Sequence, residues 1–119
     1  MVCDKTFSRK VMVEDGNLKW LGIDYDLVVA DNDGHPNYKT TKPMKGAKKY
    51  LDKLVEDGYK IIIYTARGWT MYDEIETFLN KHKIPFRRII CGKPLFRWVI
   101  DDKNIEFDGD WEKAYNKIR

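Results

Sequence analysis

Apolar and polar positions follow two different periods along the chain. KVMVEDGNLKWLGID reads as two short strands joined at Glu14-Asp15-Gly16-Asn17, and Asp-Gly between apolar runs is a hairpin signal. The second run, Leu18 to Ile23, alternates at first, turns apolar, and ends on Asp24. Residues 27–42 carry the turn chemistry of Asp31-Asn32-Asp33-Gly34 and His35-Pro36-Asn37, which predicts a loop or a short hairpin. Pro43 then predicts a helix start, with Met44, Ala47, Leu51, Leu54 and Val55 on one face and Gly58 as its stop.

Tyr59 to Thr65 is a continuous β-branched and aromatic run, the mark of a strand buried on both faces. A second helix is predicted from about Thr70 to His82, with Met71, Ile75, Phe78 and Leu79 inward. Further strands are predicted at Arg87–Cys91 and Trp98–Asp101, and a short one at Asn104–Phe107. A last helix runs from Trp111 to Ile118, with Asp108 or Asp110 at its start. Strands alternating with helices predict an α/β fold, a Rossmann-like three-layer sandwich with a mainly parallel sheet.

Composition narrows this picture without changing it. At 119 residues the chain suits a single domain, residues 1–119, with an N-terminal strand and hairpin over 1–17. Apolar residues make up 43% and charged residues 34%, enough for a packed core. The net charge of +3, from 22 basic and 19 acidic residues, is too even to argue for a nucleic-acid partner. Cys3 and Cys91 read as free thiols in a reducing cytosol rather than a bridge. The start MVCDKTFSRK is polar, and no apolar run reaches the roughly 18 residues of a membrane span. These features predict a cytoplasmic protein with no membrane partner.

The chemistry is concentrated where apolar runs stop. Asp24 and Asp26 follow LGI, Thr65 follows KIIIY, Lys93 lies beyond RRIIC, and Asp101 and Asp102 follow WVI. In a parallel sheet all four places converge on one edge, beyond the carboxyl ends of the strands, where ligands bind. Carboxylates crowded there repel one another and stay ionised only beside a counter-charge. Such hard oxygen ligands suit Mg²⁺. A carboxylate in this setting is a candidate nucleophile toward phosphorus. A second one is a candidate proton donor to the leaving oxygen. The Thr65 hydroxyl and Lys93 are candidates for holding phosphoryl oxygens.

The order LGIDYD, IIIYTAR, CGKP and WVIDD resembles the four motifs of the haloacid dehalogenase (HAD) superfamily of phosphohydrolases, over about residues 18 to 107. IIIYTARG and GKPLFRWVIDDK are similar to small capless members found with capsular-polysaccharide genes. The resemblance implies a Mg²⁺-dependent phosphatase working through an aspartyl-phosphate. Asp24 would be nucleophile and metal ligand. Asp26 would be general acid/base and offer its backbone carbonyl to the metal. Thr65, Ala66 and Lys93 would hold the phosphoryl group, with Arg67 a further candidate for phosphate or a carboxylate. Asp102 would ligate the metal directly, with Asp101 close by. The family usually continues DxDGT or DxDGV, and here Leu27 and Val28 stand in those places.

The remaining polar residues receive lesser roles. Asp31-Asn32-Asp33-Gly34 resembles part of a calcium loop, but Val29 and Thr40 stand where an EF-hand needs Asp and Glu, so the turn reading wins. In the resemblance, residues 27–42 form a flap over the site. Cys91 reads as a small buried residue rather than a nucleophile, and Trp69 as core. The intervals from Asp26 to Thr65 and from Thr65 to Lys93 are used up by single helices and strands, leaving no room for a cap domain. An open site suits a large phosphorylated substrate or completion by a neighbouring copy in a homo-oligomer. Phosphosugars, nucleotides and nucleic-acid ends all fit this chemistry. The alternative is a HAD-like module that binds metal, phosphate or a protein partner without turnover.

Overall fold

The computed structural model describes residues 19–32 and 42–118. The predicted N-terminal hairpin, Cys3, and the loop residues Asp33 to Asn37 lie outside these described residues. The elements run β1 (Trp20–Ile23), β2 (Ala30–Asp31), β3 (Lys42–Pro43), α1 (Ala47–Glu56), β4 (Lys60–Tyr64), a 3₁₀ turn (Trp69–Met71), α2 (Tyr72–Lys81), β5 (Arg88–Ile90) and α3 (Trp111–Ile118).

Three strands form a parallel sheet in the order β1-β4-β5. Its registers pair Leu21 with Ile61, Ile23 with Ile63, and Ile63 with Ile89. Parallel neighbours need crossovers, and α1 and α2 supply them. The central strand β4 explains itself. Ile61, Ile62 and Ile63 are all buried, so both of its faces are covered and its sequence cannot alternate. A second, antiparallel pair joins β2 to β3, with Ala30 opposite Pro43. It lies at the two ends of the segment predicted as a loop or a short hairpin, whose residues 33–41 are outside the described residues.

Helix α1 buries Ala47, Leu51 and Leu54 on one stripe, while Val55 is exposed. It begins at Ala47 and not at Pro43, because Pro43 is taken into β3. Gly46 precedes the helix with φ of 85°, and a Cβ there would stand 3.0 Å from the Trp111 Cβ. Both the left-handed backbone and the close approach of α3 call for glycine. Gly58 ends the helix as predicted, with its N–H donating to the Val55 carbonyl and that of Tyr59 to Leu54. Helix α2 buries Ile75, Phe78 and Leu79. Each such side chain contributes roughly 1.5–3 kcal/mol on burial. Asp110 caps α3: its Oδ1 accepts the Lys113 N–H at 3.1 Å and its carbonyl accepts that of Ala114. The Trp111 indole N–H donates to the Val28 carbonyl at 2.7 Å, tying α3 to the loop that follows Asp26.

Two predicted strands are not formed. Trp98–Asp101 and Asn104–Phe107 lie in a stretch from Cys91 to Asp110 without helix or strand. Trp98 is 80% exposed and Ile100 fully so. Aromatic and β-branched residues favour a pleated, half-buried surface, but a strand also needs a ladder partner. Here Asp101 Oδ1 accepts the Lys103 N–H at 2.9 Å, a local turn that competes with ladder bonds. No described helix is long and apolar enough to cross a membrane.

Candidate functional site

Parallel strands put their carboxyl ends on one edge, and three of the four predicted elements meet there. Asp24 follows β1, Thr65 follows β4, and Lys93 lies three residues beyond β5. Main-chain bonds stitch the loops together. The Thr65 N–H donates to the Ile90 carbonyl at 2.9 Å, the Lys93 N–H to the Thr65 carbonyl at 2.8 Å, and the Gly92 N–H to the Arg67 carbonyl at 2.8 Å. Gly92 has φ of 78°, a left-handed value that suits glycine and swings Lys93 back over the sheet edge. The Lys93 ammonium stands 3.4 Å from Asp24 Oδ1 and 5.5 Å from the centre of the Tyr64 ring.

Asp26 sits in a tight loop. The Tyr25 carbonyl accepts N–H groups from Val29 at 3.0 Å and Ala30 at 2.9 Å, and the Leu27 N–H donates to the Ala30 carbonyl at 2.8 Å. Leu27 closes this loop with φ of 65° and is 45% exposed. The left-handed turn that glycine would favour is thus made by leucine. Tyr25 is buried and packs edge-on against Phe78, which anchors the segment between the two aspartates.

The Asp26 carboxylate is held from two sides. The Arg67 Nε lies 3.0 Å from Oδ2 and 3.2 Å from Oδ1, and Nη2 lies 2.7 Å from Oδ1. Asn32 Nδ2 donates to the same Oδ1 at 2.6 Å. The hydrogen bond to Asp26 is the main reason the Arg67 pKa is raised, against the opposing effect of burial. Thr65 is fully buried, and its Oγ1 accepts the Arg67 N–H at 3.1 Å. Ala66, between them, is exposed. Neither Asn32 nor the Asp26–Arg67 pair stood out in the sequence. The signal available was Arg67 two residues past a strand end.

Asp101 and Asp102 are both exposed on the stretch beyond Lys93. Asp101 turns to the Lys103 N–H, and Asp102 faces the Lys103 ammonium at 4.0 Å. Among the described residues no group of three or more His, Cys, Asp or Glu side chains is placed to hold a metal ion. Asp24 and Asp26 are instead each matched by a cation, Lys93 and Arg67. This donor set does not fit a Mg²⁺ centre.

Cys91 is buried and free, and burial pushes its thiol pKa up, the opposite of an activated nucleophile. Trp69, expected in the core, is 46% exposed at the rim and stacks on Tyr72 with ring centres 6.1 Å apart. A Cβ on Gly92 would lie 3.6 Å from the Trp69 Nε1, so the indole borders the loop leading to Lys93.

No family model matches the chain. Its fold is similar to that of a crystal structure from Vibrio cholerae, with a TM-score of 0.61 and 22% identity, covering 86% of this chain and all of that one. Parts of the chain are similar to parts of glutamate–tRNA ligases. The Geobacillus stearothermophilus ligase is 44% identical over 43 residues, or 36% of this chain. The Caldicellulosiruptor saccharolyticus ligase 1 is 32% identical over 78 residues, or 66% of this chain. The matches span 9% and 16% of those two ligases.

Proposed function

We propose that the chain is a HAD-like phosphohydrolase without a cap, cleaving phosphate monoesters through an aspartyl-phosphate on Asp24. The observation that carries this reading is the Lys93 ammonium 3.4 Å from the Asp24 carboxylate, with the Lys93 main chain bonded to Thr65. A carboxylate and a cation at one strand edge supply a nucleophile and a counter-charge for in-line attack on a phosphoryl group.

In this reading an Asp24 oxygen attacks phosphorus while the bond from phosphorus to the ester oxygen breaks. Asp26, taking up a proton against the pull of the Arg67 ion pair, gives it to the departing oxygen. Water then attacks the phosphoryl group and passes a proton back to Asp26, and the bond to Asp24 breaks to release phosphate. Lys93 and the Thr65 hydroxyl hold the equatorial oxygens, with the Ala66 N–H alongside. Trp69, half exposed beside Gly92, offers a flat face to the leaving group. Mg²⁺ enters this proposal on the resemblance alone. Its ligand set would need Asp102 or Asp101 brought against Asp24.

The second reading, a module that binds phosphate or a protein partner without turnover, draws support from the exposed positions of Asp101 and Asp102. The likeness to glutamate–tRNA ligases covers too little of those enzymes to bring aminoacylation with it. The test is phosphate release from a panel of phosphosugars, nucleotides and 3′-phosphate oligonucleotides, with and without added Mg²⁺. Turnover of at least one class, lost in Asp24→Asn, is expected. Binding without release from any of them favours the module.

A further inference from the structure

We propose that Arg67 is a positioning residue for Asp26 rather than a ligand of the substrate phosphate. This assignment rests on the phosphatase reading above.

All three guanidinium nitrogens of Arg67 face carboxylate oxygens. Nε and Nη2 face the two Asp26 oxygens at 2.7 to 3.2 Å. Nη1 faces Glu74 Oε2 at 3.4 Å. The guanidinium carbon lies 5.2 Å from the centre of the Tyr25 ring. The side chain is only 5% exposed, against 21% for Asp26. An arginine that receives phosphate from solvent presents its fork outward, and this one turns its fork inward to a carboxylate.

The main chain holds it there. The Arg67 N–H donates to Thr65 Oγ1, and its carbonyl accepts the Gly92 N–H. Arg67 therefore links the acid/base to both loops that would hold the phosphoryl group. Asn32 completes the clamp from the β2 side, donating to Asp26 Oδ1 at 2.6 Å. Asp26 itself stands on a loop closed by a left-handed leucine, and Arg67 and Asn32 hold its carboxylate. A proton donor must meet the leaving oxygen closely, and a misplacement of about 1 Å costs on the order of 100-fold in rate.

Leaving groups separate the two roles. An alkyl phosphate needs a proton on its departing oxygen as the bond to phosphorus breaks. p-Nitrophenyl phosphate releases p-nitrophenolate, a stable anion that needs none. The experiment compares kcat/KM for both esters, and inhibition by inorganic phosphate, in wild type, Arg67→Lys, Arg67→Gln and Asn32→Ala. The expected result is a loss of at least tenfold on the alkyl ester and a much smaller loss on p-nitrophenyl phosphate. Inhibition by inorganic phosphate should be unchanged. Asn32→Ala should show the same selective pattern more weakly, and it serves if Arg67→Gln fails to fold. Equal loss on both esters, or weakened inhibition by inorganic phosphate, overturns the assignment while leaving the phosphatase reading intact. If wild type hydrolyses neither p-nitrophenyl phosphate nor any alkyl phosphate of the panel above, both fall together.

Discussion

Leu27 shows most clearly what one residue contributes. It holds φ of 65°, where a side chain carries a penalty that glycine avoids. Leu27→Gly is expected to stabilise the fold by about 1 kcal/mol, read as a higher midpoint in urea unfolding. A lower midpoint would mean that the half-exposed leucine side chain packs more usefully than its conformation costs. The motif aspartates were legible from their place after an apolar run. Arg67 was legible only as a polar residue near the site. Its partner could not be read, because pairing with Asp26 depends on two loops 41 residues apart meeting in space.

At the scale of elements, α1, β4, α2 and α3 were legible because each has a period or an apolar run that does not depend on its neighbours. Residues 98–101 have such a run as well, yet no ladder partner among the described residues. That pairing is a property of the sheet and not of the segment. Core packing makes the helices testable. Leu51 and Leu54 are fully buried, so Leu51→Ala should cost about 2–5 kcal/mol in unfolding free energy. Removing the α3 cap with Asp110→Ala should cost about 1 kcal/mol, checked by the same urea titration.

The start of α3 also carries a pH dependence. The Lys113 hydrogen bond, at 2.7 Å, lowers the Asp108 pKa below its ordinary value of about 3.9. A carboxylate lowered in the fold contributes stability above its unfolded pKa and loses it as pH falls through the folded value. Asp108→Asn should therefore lower the thermal midpoint slightly at neutral pH and converge with wild type in acid. A gap that persists in acid would assign the effect to shape rather than charge.

Across the whole molecule, order is uneven. The sheet and helices are packed, while the stretch from Gly92 to Asp110 has no regular structure and exposes Leu95, Phe96, Trp98, Val99 and Ile100. Local stability follows buried contacts. Among the described residues, trypsin should cut after Arg97 and Lys103 well before the buried Arg67. Early resistance at Arg97 would show the segment docked as the strand its sequence predicts, with Asp101 and Asp102 carried nearer to the sheet. The α/β architecture was legible because strand and helix periods alternate. The completeness of the site was not, because it depends on where this one segment lies.

If Asp24 takes the phosphoryl group, the bond it forms can be trapped. The protein would be acid-quenched during turnover of a phosphate monoester and reduced with borohydride, which converts an aspartyl-phosphate to homoserine. Its peptides would then be mapped by mass spectrometry. Homoserine is expected at position 24 in wild type and not in Asp24→Asn, which should retain its fold and lose turnover. Phosphate release with no modification at Asp24, or equal turnover by Asp24→Asn, would contradict it.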